Sequence, residues 1–366
     1  MQTVRPASPE QLAEALCAAA ADRRSILLGG CFSKDRLGQV RQPPERLAEP
    51  RAAASGQACP ADIAISTCVM NRLLRYDPRD LTIGVEAGMA WADLERILSE
   101  RGQMLPLDPG WAVESTVGGV VAANLSGPRR RLYGTARDMI IGMTFATLEG
   151  KLVQSGGNVV KNVAGLDMAK LMIGSFGTLA AIAAVNFKVF PVPAESRTFV
   201  MDFETVAEAF AERDRILQSA LQPAAIDIVN WPRGYRLLIR AAGSAKVVER
   251  YARELARARI EDDSVWEEVR EFTARFLARN PEGGVVPMIS KLSEMAALGE
   301  KLEVPFVARA GSGVIYAHYA ENPPAPFEFG GDLAGDLGGD FAMMTKVKEM
   351  FDPERLLNRG RLYGHI

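Results

Sequence analysis

Two clusters of glycine and other small residues place the strongest constraint on this chain. Gly29 and Gly30 come directly after an apolar run at residues 26–28, and residues 115–119 form a second cluster, Ser-Thr-Val-Gly-Gly. At such positions backbone N–H groups can approach a phosphate closely and point at it together. Two such loops could enclose a pyrophosphate from both sides; the alternative is that each is only a tight turn.

Neither cluster belongs to a familiar nucleotide-binding motif. No Gly-Lys-Ser/Thr follows either one, which excludes a P-loop, and the Gly-x-Gly-x-x-Gly dinucleotide fingerprint is absent. The chain has 366 residues, enough for a large core and two domains. Its formal net charge of −2 lacks the basic excess typical of nucleic-acid-binding proteins, so we expect no nucleic-acid partner.

Histidine and cysteine usage limits the chemistry further. The two histidines, His318 and His365, exclude a three-histidine zinc site, and a Ser-His-Asp triad would have to use one of them. The cysteines lack Cys-x-x-Cys spacing, so we expect no metal site or iron–sulfur cluster in this chain. Scattered cysteines of this kind are typical of reduced thiols in a cytoplasmic protein. No apolar stretch is long enough to span a bilayer, and no secretion signal is recognisable. The four cysteines are Cys17, Cys31, Cys59 and Cys68.

The first half of the chain alternates short strands with helices. Ser8, Pro9 and Gln11 form the capped start of an amino-terminal helix that ends near Asp22. A two-residue turn at Glu149-Gly150 joins a pair of strands as a hairpin. We predict strands at residues 26–28, 63–66, 81–86, 140–148, 151–154 and 179–189, and a second helix at residues 91–101.

The second half predicts antiparallel strands crossed by helices, a rhythm typical of a ferredoxin-like α+β sandwich. Pro191 and Pro193 mark the boundary, which gives domains at residues 1–192, 193–340 and 341–366. Residues 321–340, rich in Gly, Asp and Pro, predict an exposed loop, and residues 341–357 a closing helix. Strands are predicted at 197–203, 225–230, 235–241, 285–289, 305–310 and 314–319, and helices at 206–221, 247–258 and 291–302.

Further motifs follow the second glycine cluster in a characteristic order. Together they resemble the FAD-binding domain shared by vanillyl-alcohol oxidase and p-cresol methylhydroxylase (PCMH) flavoproteins. The nearer resemblance is to the FAD-binding E subunits of bacterial glycolate oxidases. It implies an α+β fold in which a two-subdomain PCMH-type domain precedes a small ferredoxin-like cap. The motifs are Tyr76-Asp77-Pro78, Val85-Glu86-Ala87-Gly88, Asn124-Leu125-Ser126-Gly127, Tyr133-Gly134, residues 161–167 and 174–179, and the closing Leu357-Asn358-Arg359-Gly360.

The same resemblance implies FAD as the cofactor and a set of residues that bind it. This chain departs from the family in the first loop, where an arginine and three small residues are replaced by Leu28-Gly29-Gly30-Cys31-Phe32. No histidine occurs in residues 1–192, which excludes a covalent bond from FAD to a histidine of this domain. We therefore expect FAD to be bound non-covalently. The implied cofactor-binding residues are Gly29, Gly30, Ser33, Lys34, Asp108, Ser115, Thr116, Gly118, Gly119, Asn124, Ser126, Gly127, Tyr133, Gly134, Asp138, Lys161, Gly177 and Ile182.

The resemblance also implies partners and a reaction. It implies a second flavin subunit and an iron–sulfur subunit in one complex that oxidises glycolate, a small 2-hydroxy acid, to glyoxylate. Such a chain would be cytoplasmic, or held at the inner face of the membrane through its partners. Two alternatives remain open: a self-sufficient FAD-dependent dehydrogenase acting on a substrate such as D-lactate, and an FAD-binding structural or electron-relay subunit without turnover.

Two further features carry a functional and a structural interpretation each, and a third, His318, is interpreted as structural. Lys161 could stabilise a reduced flavin, or form an ion pair at a domain seam. Residues 129–131, three arginines, could reach a phosphate or an acidic partner, or form a solvated charged face. His318 lies in a predicted strand, where we expect a structural histidine, and no catalytic residue is assigned.

Overall fold

The computed structural model describes residues 1–34, 37, 61–157, 167–321 and 333–361, with side chains from residue 342 onward in the last range. Lys161, Cys59 and His365 lie outside the described residues. None of the described helices is long and apolar enough to cross a membrane.

The amino-terminal region contains two sheets and a two-stranded pair. Its strands are β1 (Gln2–Val4), β2 (Ile26–Gly29), β3 (Ile63–Ser66), β4 (Leu73–Asp77), β5 (Thr82–Glu86), β6 (Gln103–Met104), β7 (Ile140–Ala146), β8 (Leu152–Gly156), β9 (Ala181–Lys188) and β10 (Phe190–Pro191). Its helices are α1 (Pro9–Ala21), α2 (Trp91–Ser99), α3 (Val117–Ala122), α4 (Arg130–Tyr133), α5 (Ala136–Met139) and α6 (Ala169–Met172).

Helix α1 forms where the sequence predicted it. The Ser8 hydroxyl accepts a hydrogen bond from the Gln11 amide at 3.3 Å, and Pro9 occupies the first turn, where its missing N–H costs nothing. Leu12 and Leu16, four residues apart on one face, are fully buried. They join the core between the three-stranded parallel sheet, of order β1-β3-β2, and the five-stranded antiparallel sheet, of order β4-β5-β9-β7-β8.

The carboxyl-terminal region is built on one seven-stranded antiparallel sheet. Its strands are β11 (Glu195–Phe203), β12 (Ala225–Val229), β13 (Tyr235–Gly243), β14 (Arg259–Glu261), β15 (Gly284–Ile289), β16 (Phe306–Arg309) and β17 (Val314–Tyr319). Its helices are α7 (Val206–Gln218), α8 (Ala245–Glu254), α9 (Ser264–Arg279) and α10 (Met295–Glu300), with a short 3-10 turn at Leu292–Glu294.

The order of this sheet confirms the ferredoxin-like prediction. The sheet order is β14-β11-β13-β12-β16-β17-β15, and its first four strands with α7 and α8 follow the β-α-β-β-α-β pattern. Helices α7, α8 and α10 cover one face. Helix α9 covers the other through Trp266 and Val269, a second layer that the sequence pattern did not predict.

Helix α11 (Leu333–Phe351) corrects two boundaries. The helix begins inside residues 321–340, the segment predicted as a loop. The sequence did not indicate a helix there because Gly and Asp are poor helix formers. The chain then returns to the amino-terminal region, where the Ile26 amide donates to the Leu356 carbonyl at 2.8 Å. The predicted two-residue turn at Glu149-Gly150 was also wrong: residues 147–151 connect Ala146 to Leu152, with Gly150 left-handed at φ +76°.

Strands β1, β4 and β14 were absent from the sequence prediction. Each is short and lies at the edge of its sheet. Most of their side chains are exposed, so none shows the alternation of buried and exposed residues that identifies a strand. In contrast, β3 is buried at every position and was predicted with the observed bounds.

Candidate functional site

The first glycine loop leaves the carboxyl end of β2 and turns at once. The Phe32 ring packs over Gly29, where an added Cβ would lie 2.7 Å from Phe32 Cδ1. Phe32 itself takes a left-handed backbone conformation, φ +56°, which is unusual for a bulky residue. The phenylalanine that departs from the family pattern therefore fits within this loop and lines the cavity below it.

The second glycine loop begins helix α3 and touches the first. The Thr116 hydroxyl caps the helix by accepting from the Gly119 amide at 3.3 Å. The Gly118 amide donates to the Ala87 carbonyl at 2.7 Å. An added Cβ on Gly30 would lie 2.1 Å from Thr116 Oγ1, so only glycine allows the two loops to come this close.

Lys34 carries a buried positive charge between the two loops. Its side chain is buried, with 8% of the residue exposed, and its Nζ donates to Ser115 Oγ at 2.5 Å and to Ser33 Oγ at 3.2 Å. Burial lowers the pKa of Lys34 to about 8. Within the described part of the chain, no carboxylate lies within 4.0 Å of this ammonium group.

A third group of residues closes the cavity from the carboxyl-terminal segment. Asn358 Oδ1 accepts from the Leu28 amide at 2.8 Å, and its Nδ2 donates to the carbonyls of Leu28 at 3.0 Å and Phe176 at 2.7 Å. Arg361 donates to the Lys34 carbonyl at 3.1 Å. The Asn358 side chain therefore joins the start of the first loop to the turn around Gly177. The Arg361 side chain holds the other end of the first loop, at Lys34.

The resulting cavity suits a pyrophosphate-containing cofactor. Gly119 faces it with almost no obstruction, since an added Cβ would meet only Thr116 Oγ1 at 3.2 Å and Lys34 Nζ at 3.7 Å. The carboxylates of Glu114 and Glu271 act on the Lys34 ammonium group from beyond 4.0 Å, so no direct ion pair in the described chain neutralises it. Beside close-approaching glycine backbone, such a buried charge is a favourable environment for an anion. The cavity is lined by Leu28, Gly29, Gly30, Cys31, Phe32, Ser33, Lys34, Thr67, Thr116, Gly118, Gly119, Ala122, Ala123, Phe176, Gly177, Ala180, Ile182, Asn358 and Arg361.

The structure brings together about half of the residues predicted to bind the cofactor. Those in the cavity or hydrogen-bonded to its lining are Gly29, Gly30, Ser33, Lys34, Ser115, Thr116, Gly118, Gly119, Gly177 and Ile182. Those that do not line this cavity are Asp108, Asn124, Ser126, Gly127, Tyr133, Gly134 and Asp138.

Asp108 forms a buried ion pair in the turn before the second loop. Arg129 Nε donates to both carboxylate oxygens, at 2.8 and 2.9 Å, and the Arg129 amide donates at 3.1 Å. Burial would raise the pKa of Asp108, but the Arg129 guanidinium outweighs it and holds that pKa below its usual range. An added Cβ on Gly127 would lie 2.2 Å from the Asp108 carbonyl oxygen, so these residues pack this turn against its neighbour.

The remaining predicted residues lie outside the cavity, and two of them, Tyr133 and Asp138, have local structural partners. The Tyr133 ring packs edge-on against Phe190, with 5.1 Å between centroids, and lines a second cavity at the seam with the seven-stranded sheet. Asp138 accepts from the Thr135 amide at 2.8 Å and caps α5. Asn124 and Gly134 have positive φ angles, +47° and +88°. Ser126 is buried, and its hydroxyl has no hydrogen-bond partner in the described structure.

Ten residues that line the cavity were not among the predicted cofactor-binding residues; they include Thr67, Phe176, Asn358 and Arg361. A signal existed for Asn358, since the closing motif was part of the family resemblance. Phe176 likewise lies in the motif at residues 174–179, whereas nothing in the local sequence of Thr67 indicates a site, because it reaches the cavity only through the way the turns pack.

Substitution of Gly30 by alanine tests the contact between the two loops. The new methyl group would displace the Thr116 side chain and its cap on α3, so we expect the free energy of unfolding to fall by roughly 1–3 kcal/mol. Urea denaturation measures this. Gly157→Ala is the matched control, since an added Cβ there meets nothing within 4 Å, and an equal loss in both variants would contradict the prediction.

His318 is a structural residue, as the sequence analysis expected. It is fully buried on β17, with ring centroids 4.8 Å from Phe272 and 5.2 Å from Phe276. Its Nε2 lies 2.9 Å from Thr273 Oγ1 and its Nδ1 lies 3.3 Å from the Pro305 carbonyl oxygen. Burial lowers the pKa of His318 to about 4, so the ring stays neutral at physiological pH.

The neutral state of His318 predicts a pH dependence of stability. In the unfolded chain the imidazole binds a proton near pH 6.5, whereas the folded chain resists protonation until about pH 4. Stability from this group is complete above pH 6.5 and falls by ~3 kcal/mol as the pH drops to about 4. Urea denaturation of wild type and His318→Gln checks this: the difference between them should shrink over that window, and a constant difference would contradict it.

Comparison with known proteins agrees with the geometry. Residues 51–156 match the family model described as an FAD binding domain. The chain is 31% identical to glycolate oxidase subunit GlcE of Escherichia coli (strain K12), over 80% of this chain and 85% of that protein. It is 24% identical to glycolate oxidase subunit GlcD of Bacillus subtilis (strain 168), over 84% and 81% respectively. The solved structure of alkyldihydroxyacetonephosphate synthase shares the fold, with a TM-score of 0.70 at 20% identity, over 97% of this chain and 75% of that one.

These findings define the class of the protein. Two sheets around a glycine-lined cavity, followed by a cap on an antiparallel sheet, are the architecture of a PCMH-type FAD-binding oxidoreductase. The chain belongs to the family of glycolate oxidase subunit GlcE. The predictions of fold class, family and FAD as the cofactor are thereby confirmed.

Proposed function

We propose that the two glycine loops and Lys34 bind the pyrophosphate of FAD. The observation that carries this proposal is the buried Lys34 ammonium, which contacts only the Ser33 and Ser115 hydroxyls among the described side chains. A pyrophosphate in the cavity would supply an anion in direct contact with this ammonium group, and the backbone of Gly30 and Gly119 would approach it closely. Ile182, further along the same cavity, would then lie near the adenine end.

We infer further that the chain works as the FAD-binding subunit of a glycolate oxidase complex. Its similarity to GlcE and GlcD supports a multi-subunit assembly, with a second flavin subunit and an iron–sulfur subunit as partners. Flavin supplies hydride acceptance from a 2-hydroxy acid and onward electron transfer. This chain's own contribution is to hold and orient the cofactor, and the neutral, buried His318 is unsuited to taking the substrate proton.

The same proposal assigns a location and an organisation. We place the protein in the cytoplasm, or at the inner membrane face through its partners. We also propose domain boundaries at residues 1–192, 193–340 and 341–366. Separate cores on the two sides of Pro193 support the first of these boundaries.

Anaerobic spectroscopy on the purified full-length chain tests this function. We expect the chain to bind added FAD, to release it on acid denaturation, and to keep its flavin spectrum when glycolate or D-lactate is added alone. Co-expression with candidate partner subunits should restore bleaching by glycolate. Bleaching by the isolated chain would instead establish a self-sufficient dehydrogenase, and failure to bind FAD would refute the proposed site.

A further inference from the structure

Two cysteines that are far apart in sequence meet at the edge of the glycine-lined cavity. Cys31 lies in the first glycine loop, and Cys68 lies in the turn that follows β3. The Ser66 hydroxyl stands between their backbones. It donates to the Gly30 carbonyl at 2.8 Å, in the peptide group that leads into Cys31, and accepts from the Cys68 amide at 3.4 Å. Both backbones therefore converge on one side-chain oxygen.

The pairing of the two strands explains this proximity. In the parallel ladder between β2 and β3, Gly29 is the partner of Ser66, and the Thr67 amide continues the pairing by donating to the Gly29 carbonyl at 2.9 Å. Each cysteine comes two residues after this last pair. At the last pair the strands lie about 4.8 Å apart, within the Cα separations of about 4.4–6.8 Å that disulfides span. Beyond that pair, the Ser66 hydroxyl bonds to both segments and keeps them together.

The two thiols also differ in accessibility in a useful way. Both are free, Cys31 is exposed and Cys68 is half-buried. Burial and the charge of a Cys68 thiolate raise the pKa of Cys31, while the Lys34 ammonium lowers it. The Cys68 thiolate is close enough to act on the Cys31 thiol, in agreement with the two backbone contacts to Ser66. A small reagent can reach Cys31 first and leave Cys68 as the second thiol.

We propose that Cys31 and Cys68 form a redox modification site that a low-molecular-weight disulfide oxidises to an intramolecular disulfide. The Cys31 thiolate attacks the reagent, forming a mixed disulfide and releasing one small thiol. The Cys68 thiolate then attacks Cys31 Sγ, forming the Cys31–Cys68 bond and releasing the second small thiol. The protein loses two electrons and two protons, and the reagent disulfide is reduced to two thiols.

This bond would act on the cavity because its two ends line or adjoin it. Cys31 and Thr67 are both lining residues, and Gly30 has no free space on the side of Thr116. A bond from Cys31 to the turn at residues 67–70 would hold the first glycine loop on the side opposite Thr116. We expect the disulfide form to bind FAD about tenfold more weakly. This expected loss of affinity rests on the proposed FAD site, whereas formation of the disulfide does not depend on it.

The experiment uses the full-length chain carrying Cys17→Ser and Cys59→Ser, incubated with oxidised glutathione, quenched with an alkylating reagent and weighed by mass spectrometry. We expect the loss of two hydrogen atoms, a cross-linked peptide containing Cys31 and Cys68, and reversal by dithiothreitol. Adding Cys31→Ser to the same background should abolish the cross-link. If the background fails to fold, peptide mapping of the wild-type chain replaces it.

Glutathione adducts on the two cysteines without a cross-link would overturn the proposal. So would a cross-link that forms only in urea. FAD affinity of the reduced and oxidised forms is then measured by flavin fluorescence. A tenfold difference supports the coupling to the cavity, and equal affinities contradict it. If neither form binds FAD, the proposed cofactor site is refuted. The presence or absence of the cross-link still tests the proposed Cys31–Cys68 redox site.

Discussion

Replacing Lys34 with methionine is expected to weaken FAD binding by about 100-fold, equivalent to ~2.7 kcal/mol. The ammonium group is buried, and its hydrogen-bond partners in the described part of the chain are hydroxyls, with Glu114 and Glu271 acting on it only from beyond 4.0 Å. An anionic ligand in the cavity would therefore form its direct ion pair. Methionine keeps an unbranched, flexible chain of similar length and removes the charge. Titration of the apo-protein with FAD, followed by flavin fluorescence, measures the change.

A stability measurement separates this role from a structural one. Burial of the Lys34 charge opposes folding of the apo-protein, as its lowered pKa shows, so Lys34→Met should unfold at a Tm no lower than wild type. Lys151→Met, at an exposed lysine of the same region, is the matched control and should leave FAD affinity unchanged. A large loss of Tm with little loss of affinity would assign Lys34 to the fold alone.

The pKa of Lys34 adds a pH signature to the same pair of proteins. The group is charged below about pH 8 in the apo-protein and loses its proton above it. FAD affinity of wild type should therefore fall as the pH rises from 8 to 9.5, whereas that of Lys34→Met should stay flat across this range. Parallel profiles for the two proteins would exclude Lys34 as the titrating group.

Local sequence patterns predicted most of the fold because the relevant signals are themselves local. The capped start at Ser8 and the fully buried β3 need only a few consecutive residues to be recognised. Strand β4 was missed because its mostly exposed side chains show no alternation of buried and exposed residues, whereas helix α11 was misplaced because tertiary packing overrides its local preferences. Helix α11 has glycines within it, yet Lys348 near its end is buried and donates to the carbonyls of Thr178 and Leu357 at 2.7 and 3.1 Å.

The glycine clusters made part of the site predictable, because glycine is typical of positions where the backbone approaches another group closely. Gly30 lies where the backbone must come near Thr116, Gly119 faces the cavity, and the clustering of both glycines is visible in the sequence. The charge environment of Lys34 depends on which groups surround it in space. The meeting of Cys31 with Cys68 depends on the register of two strands that are separated by more than thirty residues. Neither can be read from spacing along the chain.

Asn358→Leu is expected to lower the free energy of unfolding by roughly 3–5 kcal/mol. Strand β2 lies at the edge of its sheet, and the Asn358 side-chain amide pairs with both the amide and the carbonyl of Leu28, as a neighbouring strand would. Its third hydrogen bond holds the Phe176 carbonyl. Leucine has a similar size but leaves the two buried backbone groups of Leu28 and the partly buried Phe176 carbonyl without this partner, and each buried group left unpaired costs about 1–3 kcal/mol.

Urea denaturation of Asn358→Leu, with Arg359→Ala as the control at the exposed neighbouring position, measures this effect. The Arg359 variant should stay within about 0.5 kcal/mol of wild type, since substitutions at exposed positions usually do. FAD affinity of Asn358→Leu, measured at a temperature where the variant is still folded, should also fall, because the loop at Gly30 and the turn at Gly177 are no longer tied together. A stability loss below 1 kcal/mol would show that water replaces the amide and that the carboxyl-terminal segment does not hold the cavity closed.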